Sequence, residues 1–100
     1  MAQVIWTEPA LDDLDAIAAY IALDKPDAAK GLVQRAIARV EQLALFPLSG
    51  GKPRELSGSP YRQLVVHPLK IYYRVAGERV FVVHVMRGEQ QFRLSDLQER

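Results

Sequence analysis

The hydrophobic period of this chain turns from helical to alternating between its two halves, and that change fixes its architecture. From Thr7 to Ala44 apolar residues recur every three or four positions, whereas from Arg62 to Met86 they alternate. The first period suits one face of a helix and the second one face of a strand, and neither can stand in for the other. In the first stretch Leu11, Leu14, Ile17, Ala18 and Ile21 form a stripe, with Asp12, Asp13 and Asp15 mostly off it, so a helix is expected to run to about Ala22. Thr7 is placed to cap it, Glu8 suits its first turn and Pro9 is tolerated there. Asp24-Lys25-Pro26-Asp27 then reads as a turn and a second start signal. Ala29, Leu32, Val33, Ala36, Ile37, Val40, Leu43 and Ala44 give a second helix, ended by Pro47 and Ser49-Gly50-Gly51. Gly31 inside it costs about 1 kcal/mol against alanine and is expected to permit a close helix contact. The short connection predicts an antiparallel helical hairpin.

The strands bracket that hairpin. Ala2 to Trp6 reads as a first strand, and Lys52 to Pro60, punctuated by Pro53, Gly58 and Pro60, as a polar surface loop. Arg62–His67, Leu69–Val75 and Arg79–Met86 are successive strands, the last two joined at Ala76-Gly77-Glu78. Leu69, Ile71, Tyr73 and Val75 alternate with Lys70, Tyr72 and Arg74, which predicts one core face and one polar, basic face. The expectation is a single α+β domain over residues 1–100, ordered β-α-α-β-β-β, with the helical hairpin on one face of a mainly antiparallel sheet. Residues 92–100 read as a short terminal helix or a frayed end.

Composition narrows the chemistry. With 49% hydrophobic and 25% charged residues in 100, the chain has the makeup of a folded domain. It contains no cysteine, so neither a disulfide, a thiolate metal site nor a thiol nucleophile is available. No apolar run approaches membrane-spanning length and Met1–Thr7 reads as a strand, so a cytoplasmic protein without a membrane partner is expected. Charge is unevenly divided. Residues 1–50 carry four basic groups against seven acidic, and residues 51–100 carry nine basic against five acidic. A basic side of this kind suits nucleic acid, an acidic protein or an acidic tail.

Several local patterns, in this order, resemble the ParE/RelE superfamily of type II toxins over nearly the whole chain. Trp6-Thr7-x-x-Ala10-x-x-Asp13-Leu14-x-x-Ile17-x-x-Tyr20-Ile21 resembles the family's opening strand and first helix, particularly in the ParE branch. Phe46-Pro47-x-x-Gly50 resembles the end of the second helix, Arg54-Glu55-Leu56 with Tyr61-Arg62 the loop and second strand, and Leu69-Lys70-Ile71-Tyr72-Tyr73-Arg74-Val75 the third strand. The resemblance implies a toxin that either poisons DNA gyrase, as ParE-like members do, or cleaves messenger RNA on the ribosome, as RelE-like members do. It also implies a cognate, ParD-like antitoxin in a hetero-oligomeric complex. Many members end the last strand with valine-leucine-histidine-glycine and two arginines, but this chain reads Val85-Met86-Arg87-Gly88-Glu89-Gln90-Gln91. That departure removes ribonuclease groups and favours the gyrase-directed branch, plasmid stabilisation being the role the branch implies. A weakened toxin, surviving as an antitoxin-binding module, is a third reading.

Metal-free RNA cleavage needs a base, an acid and cations around the phosphorane. Only cations are plentiful here, so enzymatic activity is not favoured. Lys52, Arg54, Arg62, Lys70, Arg74 and Arg87 are candidates to line a target-binding face, although each alone also reads as a solvated surface charge. Arg62, Arg74 and Arg87 are the catalytic candidates if the chain is a ribonuclease. Tyr72 between Lys70 and Arg74 either stacks a base or packs beneath the C-terminal segment. His84 shares an apparent face with Val82 and Met86 and reads as a packed or hydrogen-bonded histidine, and His67 as a turn residue. No paired-histidine spacing, phosphate-cradling glycine loop or nucleophile elbow occurs, so no metal or cofactor is expected. An antitoxin segment is expected against Leu11, Leu14, Ile17 and Ile21, although residues in such a stripe are more often plain core.

Overall fold

The structure, a computed structural model, describes residues 1–88 and Leu97. The readings of residues 92–100 and of Glu89-Gln90-Gln91 otherwise lie outside the described residues. The chain forms β1 (Gln3–Trp6), α1 (Glu8–Ala22), α2 (Pro26–Glu41), β2 (Tyr61–Val66), β3 (Leu69–Ala76) and β4 (Arg79–Arg87). Two helices pack on a four-stranded mixed sheet of order β1-β4-β3-β2, the α+β arrangement expected.

Each helix begins where the sequence signals it. The Thr7 hydroxyl accepts from the Ala10 N–H at 3.4 Å and also donates to the Val82 carbonyl at 2.7 Å, so the cap of α1 is bonded to β4. Pro26 opens α2, which tightens into a 3-10 turn over Gln42–Ala44. Gly31 does not serve a close helix contact: a Cβ there would meet only the Arg35 side chain, at 3.8 Å. On the stripes, Leu14 and Ile17 of α1 and Ala29, Leu32, Ala36 and Val40 of α2 are buried, while Leu11 and Ile37 face outward and Ala10 takes the inner position.

β2, β3 and β4 form the expected antiparallel meander, and β1 joins β4 in parallel, Gln3 to Trp6 against Arg79 to Val82. A bulge interrupts β4: Tyr72 pairs with His84 but Tyr73 with Val82, leaving Val83 as the extra residue. The bulge shifts which residues of β4 face the helices. Val80, Val82 and Val85 join the helix-side core with Leu64, Leu69, Ile71 and Tyr73, whereas Val83 and Met86 turn to the opposite side. Val82 and Met86 therefore do not share a face with each other, contrary to simple alternation.

The second face of the sheet is not the open polar surface that the alternation of β3 predicts. Tyr72, Val83 and Met86 form a smaller core there with Leu56 and Leu97. Leu56 belongs to a 3-10 turn, Arg54–Leu56, in the segment read as a surface loop, and is buried to 1% exposure. Its neighbours Lys52, Arg54 and Glu55 remain exposed. The loop is polar in composition because most of it is wet, yet one leucine anchors it to the sheet.

Candidate functional site

Three clusters of side chains position the surface. The first lies along β4 beyond the end of β1. Beyond Val82, β1 no longer runs alongside, and Asp13 from α1 supplies the acceptor that a strand would have provided. Its Oδ2 takes the Val85 N–H at 3.2 Å and lies 2.8 Å from His84 Nδ1. With a carboxylate accepting, the Nδ1 position carries the proton. Tyr72 stacks on the imidazole, the ring centroids 5.8 Å apart, and His84 is 8% exposed. His84 is thus the hydrogen-bonded, packed histidine of the sequence reading. Its partner Asp13 sits off the apolar stripe of α1, and nothing in a sequence separation of 71 announces that pair.

The second cluster holds the turn after α2. The Tyr73 hydroxyl donates to the Pro47 carbonyl and accepts from the Gly50 N–H, both at 2.8 Å. Arg62 Nη1 donates to the carbonyls of Leu48, at 3.2 Å, and Gly50, at 2.9 Å. A Cβ at Gly50 would fall 2.5 Å from the Tyr73 hydroxyl, so only glycine lets the chain pass here. Burial pushes the Tyr73 hydroxyl above its ordinary pKa, while the Gly50 N–H and the Arg62 and Arg39 guanidinium groups pull the other way. The Arg62 guanidinium is engaged with the chain's own backbone, which sets it apart from the other cations.

The third is the outer, basic side of the sheet. Arg74 lies over the Phe81 ring there at 4.4 Å, whereas Arg87, paired with Leu69 of the helix-side core, lies over the Tyr20 ring of α1 at 4.7 Å on the helical side. Lys70 and Arg74 are part exposed and Arg54 is exposed, while Lys52, also exposed, follows the turn after α2. Tyr72, placed between Lys70 and Arg74 in sequence, is 0% exposed and packs with Leu97, so it offers no stacking face. Burial, then the nearby Glu55 charge, push its hydroxyl up to about 12. The antitoxin candidates divide as well. Leu14 and Ile17 belong to the core and cannot meet a partner, Leu11 is 44% exposed, and Ile21 is part buried beside a hollow lined by Tyr20, Leu23, Asp24 and Lys25. A shallow groove between α1 and α2 is lined by Ala18, Ala22, Ala29, Val33, Lys30 and Gln34 among others. Among the described residues no group of three metal-ligating side chains converges, and no helix is long and apolar enough to cross a membrane.

Residues 4–92 match the model of the ParE toxin of the type II toxin–antitoxin system parDE. The chain belongs to the ParE toxin family. Among similar proteins, Y4kP of Sinorhizobium fredii, which carries a toxin designation, is 38% identical over 90 residues, covering 90% of this chain and 92% of that protein. Toxin RelE2 of Caulobacter vibrioides is 40% identical over 86 residues, 85% of this chain and 93% of its own. A chain of the chromosomal ParDE toxin–antitoxin system from P. aeruginosa superposes with a TM-score of 0.74 at 27% identity, covering 87% of this chain and 96% of that one. The ParE family membership makes this chain the toxin component of a type II system and implies a cognate antitoxin.

Proposed function

We propose that this ParE-family toxin arrests growth by binding DNA gyrase and holding it on cleaved DNA, and that a ParD-like antitoxin keeps it inactive in a hetero-oligomeric complex in the cytoplasm. The observation that carries this reading is the basic side of the sheet: Arg54, Lys70 and Arg74 form no ion pair among the described residues. Cations left uncompensated on one side raise the local potential and favour a negatively charged or DNA-bound target. The enclosure of His84 by Asp13 and Tyr72 supports a binder rather than a ribonuclease, because a general base must reach the proton it removes. For the antitoxin, the outward side of the helical hairpin around Leu11, Tyr20 and Leu23 is the surface on offer.

The test is a supercoiling reaction with purified gyrase and antitoxin-free toxin, scored for linearised DNA. Cleaved DNA is expected to accumulate, and the double variant Lys70→Glu/Arg74→Glu is expected to need at least about tenfold more protein for the same effect. The name of the Caulobacter relative favours a second reading, a RelE-like endonuclease acting on ribosome-bound message, with Arg62, Arg74 and Arg87 as the candidate phosphate-stabilising cations. Message cleavage with gyrase untouched selects it. Neither effect, with antitoxin binding intact, identifies a module that has lost its target.

A further inference from the structure

The turn that follows α2 displays Leu45, Phe46 and Leu48 at 64%, 63% and 64% exposure. Single exposed apolar residues need no explanation, but three within four positions form a patch that a soluble surface does not gain from. The backbone beneath them is fixed. Tyr73 and Arg62 hold the carbonyls of Pro47, Leu48 and Gly50, and the Ser49 N–H donates to the Phe46 carbonyl at 3.1 Å. A turn already ordered in the free chain needs little further ordering when a partner arrives, which is what separates a docking surface from an exposed loop of the same composition.

Charge identifies the partner's chemistry. The Arg39 and Arg62 guanidinium groups both act on the Tyr73 hydroxyl at the base of the turn, and Lys52 stands exposed two residues beyond Gly50. Glu41 is the only acidic residue from Arg39 to Arg54. A second copy of this chain would bring like charges together, so the complement is a segment with large apolar side chains flanked by carboxylates. Tyr73 belongs to the helix-side core, which puts the turn on the side of the sheet opposite the smaller core and Lys70, next to the helical hairpin. We propose that the Leu45–Leu48 turn is the docking surface for an acidic, apolar segment of the cognate antitoxin; this rests on the reading of the helical side as the antitoxin's.

The experiment is calorimetric titration of the full chain with its purified full-length antitoxin at two salt concentrations. The triple variant Leu45→Ser/Phe46→Ser/Leu48→Ser should bind at least about 100-fold more weakly, as loss of a central apolar anchor does. The charge reversal Arg39→Glu/Lys52→Glu, which leaves the apolar side chains in place, should weaken binding about tenfold and reduce its salt dependence. Both variants should melt as the parent does, since all five side chains lie outside the core. Unchanged affinity in both variants overturns the proposal and leaves the antitoxin reading standing. Loss of growth arrest at unchanged affinity also overturns it, assigning the turn to the target. If the parent chain itself fails to bind, the antitoxin reading falls together with the docking surface.

Discussion

At the scale of single residues, the two adjacent tyrosines of β3 do different work because they point to different sides of one sheet. Tyr73 stabilises the turn after α2 through its hydroxyl, so Tyr73→Phe leaves the Gly50 N–H and the Pro47 carbonyl without that partner. The expected loss is about 1–3 kcal/mol in a urea titration; a phenylalanine variant of parental stability would mean that water replaces the hydroxyl. Tyr72 acts through its protonation. Its folded pKa, pushed up to about 12, lies above the value of 10.0 expected when unfolded. The folded state therefore holds the proton more tightly, and the stability that follows is complete below pH 10 and is lost as the pH climbs towards 12. Alkaline denaturation should accordingly be shallower over that interval in Tyr72→Phe than in the parent. The sequence marks Tyr73 as a core residue by alternation, but the same alternation assigns Tyr72 to a wet face. What it lacks is Leu97, distant in sequence and meeting Tyr72 only after folding. The same holds for Asp13, an ordinary helix acid until it reaches His84 and Val85.

At the scale of elements, local signals define the beginnings and the long-range pairs define the ends. Thr7 illustrates both, since one hydroxyl caps α1 and grips the Val82 carbonyl. Thr7→Ala should cost about 1–2 kcal/mol, the upper range for a cap, and an additional Asp13→Ala change should couple with it if the two contacts together seat α1 on β4. A double-mutant cycle by thermal melting measures this, and strict additivity would show that the contacts act independently. Both helices, the meander and their approximate boundaries are legible because period and punctuation are local properties. The bulge at Val83 is not: four valines and a phenylalanine between Val80 and Val85 offer no residue that flags an extra position. Nor is the parallel placement of β1, which depends on the path of the helical hairpin across the sheet. Of the cations, Arg62 looks the same in sequence as Arg74, and only the position of the Leu48 and Gly50 carbonyls separates their roles.

At the scale of the whole molecule, the sheet separates two unlike surfaces, with the helical hairpin and the clamped turn on one side and Lys70 and Arg74 on the other. Its strand order has a consequence for how the chain is made. Among the described strands the first pairs with the last, Gln3–Trp6 against Arg79–Val82. During synthesis Trp6 leaves the ribosome long before Val82 exists, so the helical hairpin emerges with its apolar stripe uncovered and no sheet to lie on. The contact that closes the fold is also among the most distant in sequence, and such contacts raise the mean sequence separation that slows folding. The four-stranded sheet, and with it the basic side, is therefore complete only once translation has passed β4, after the helical hairpin has already been made.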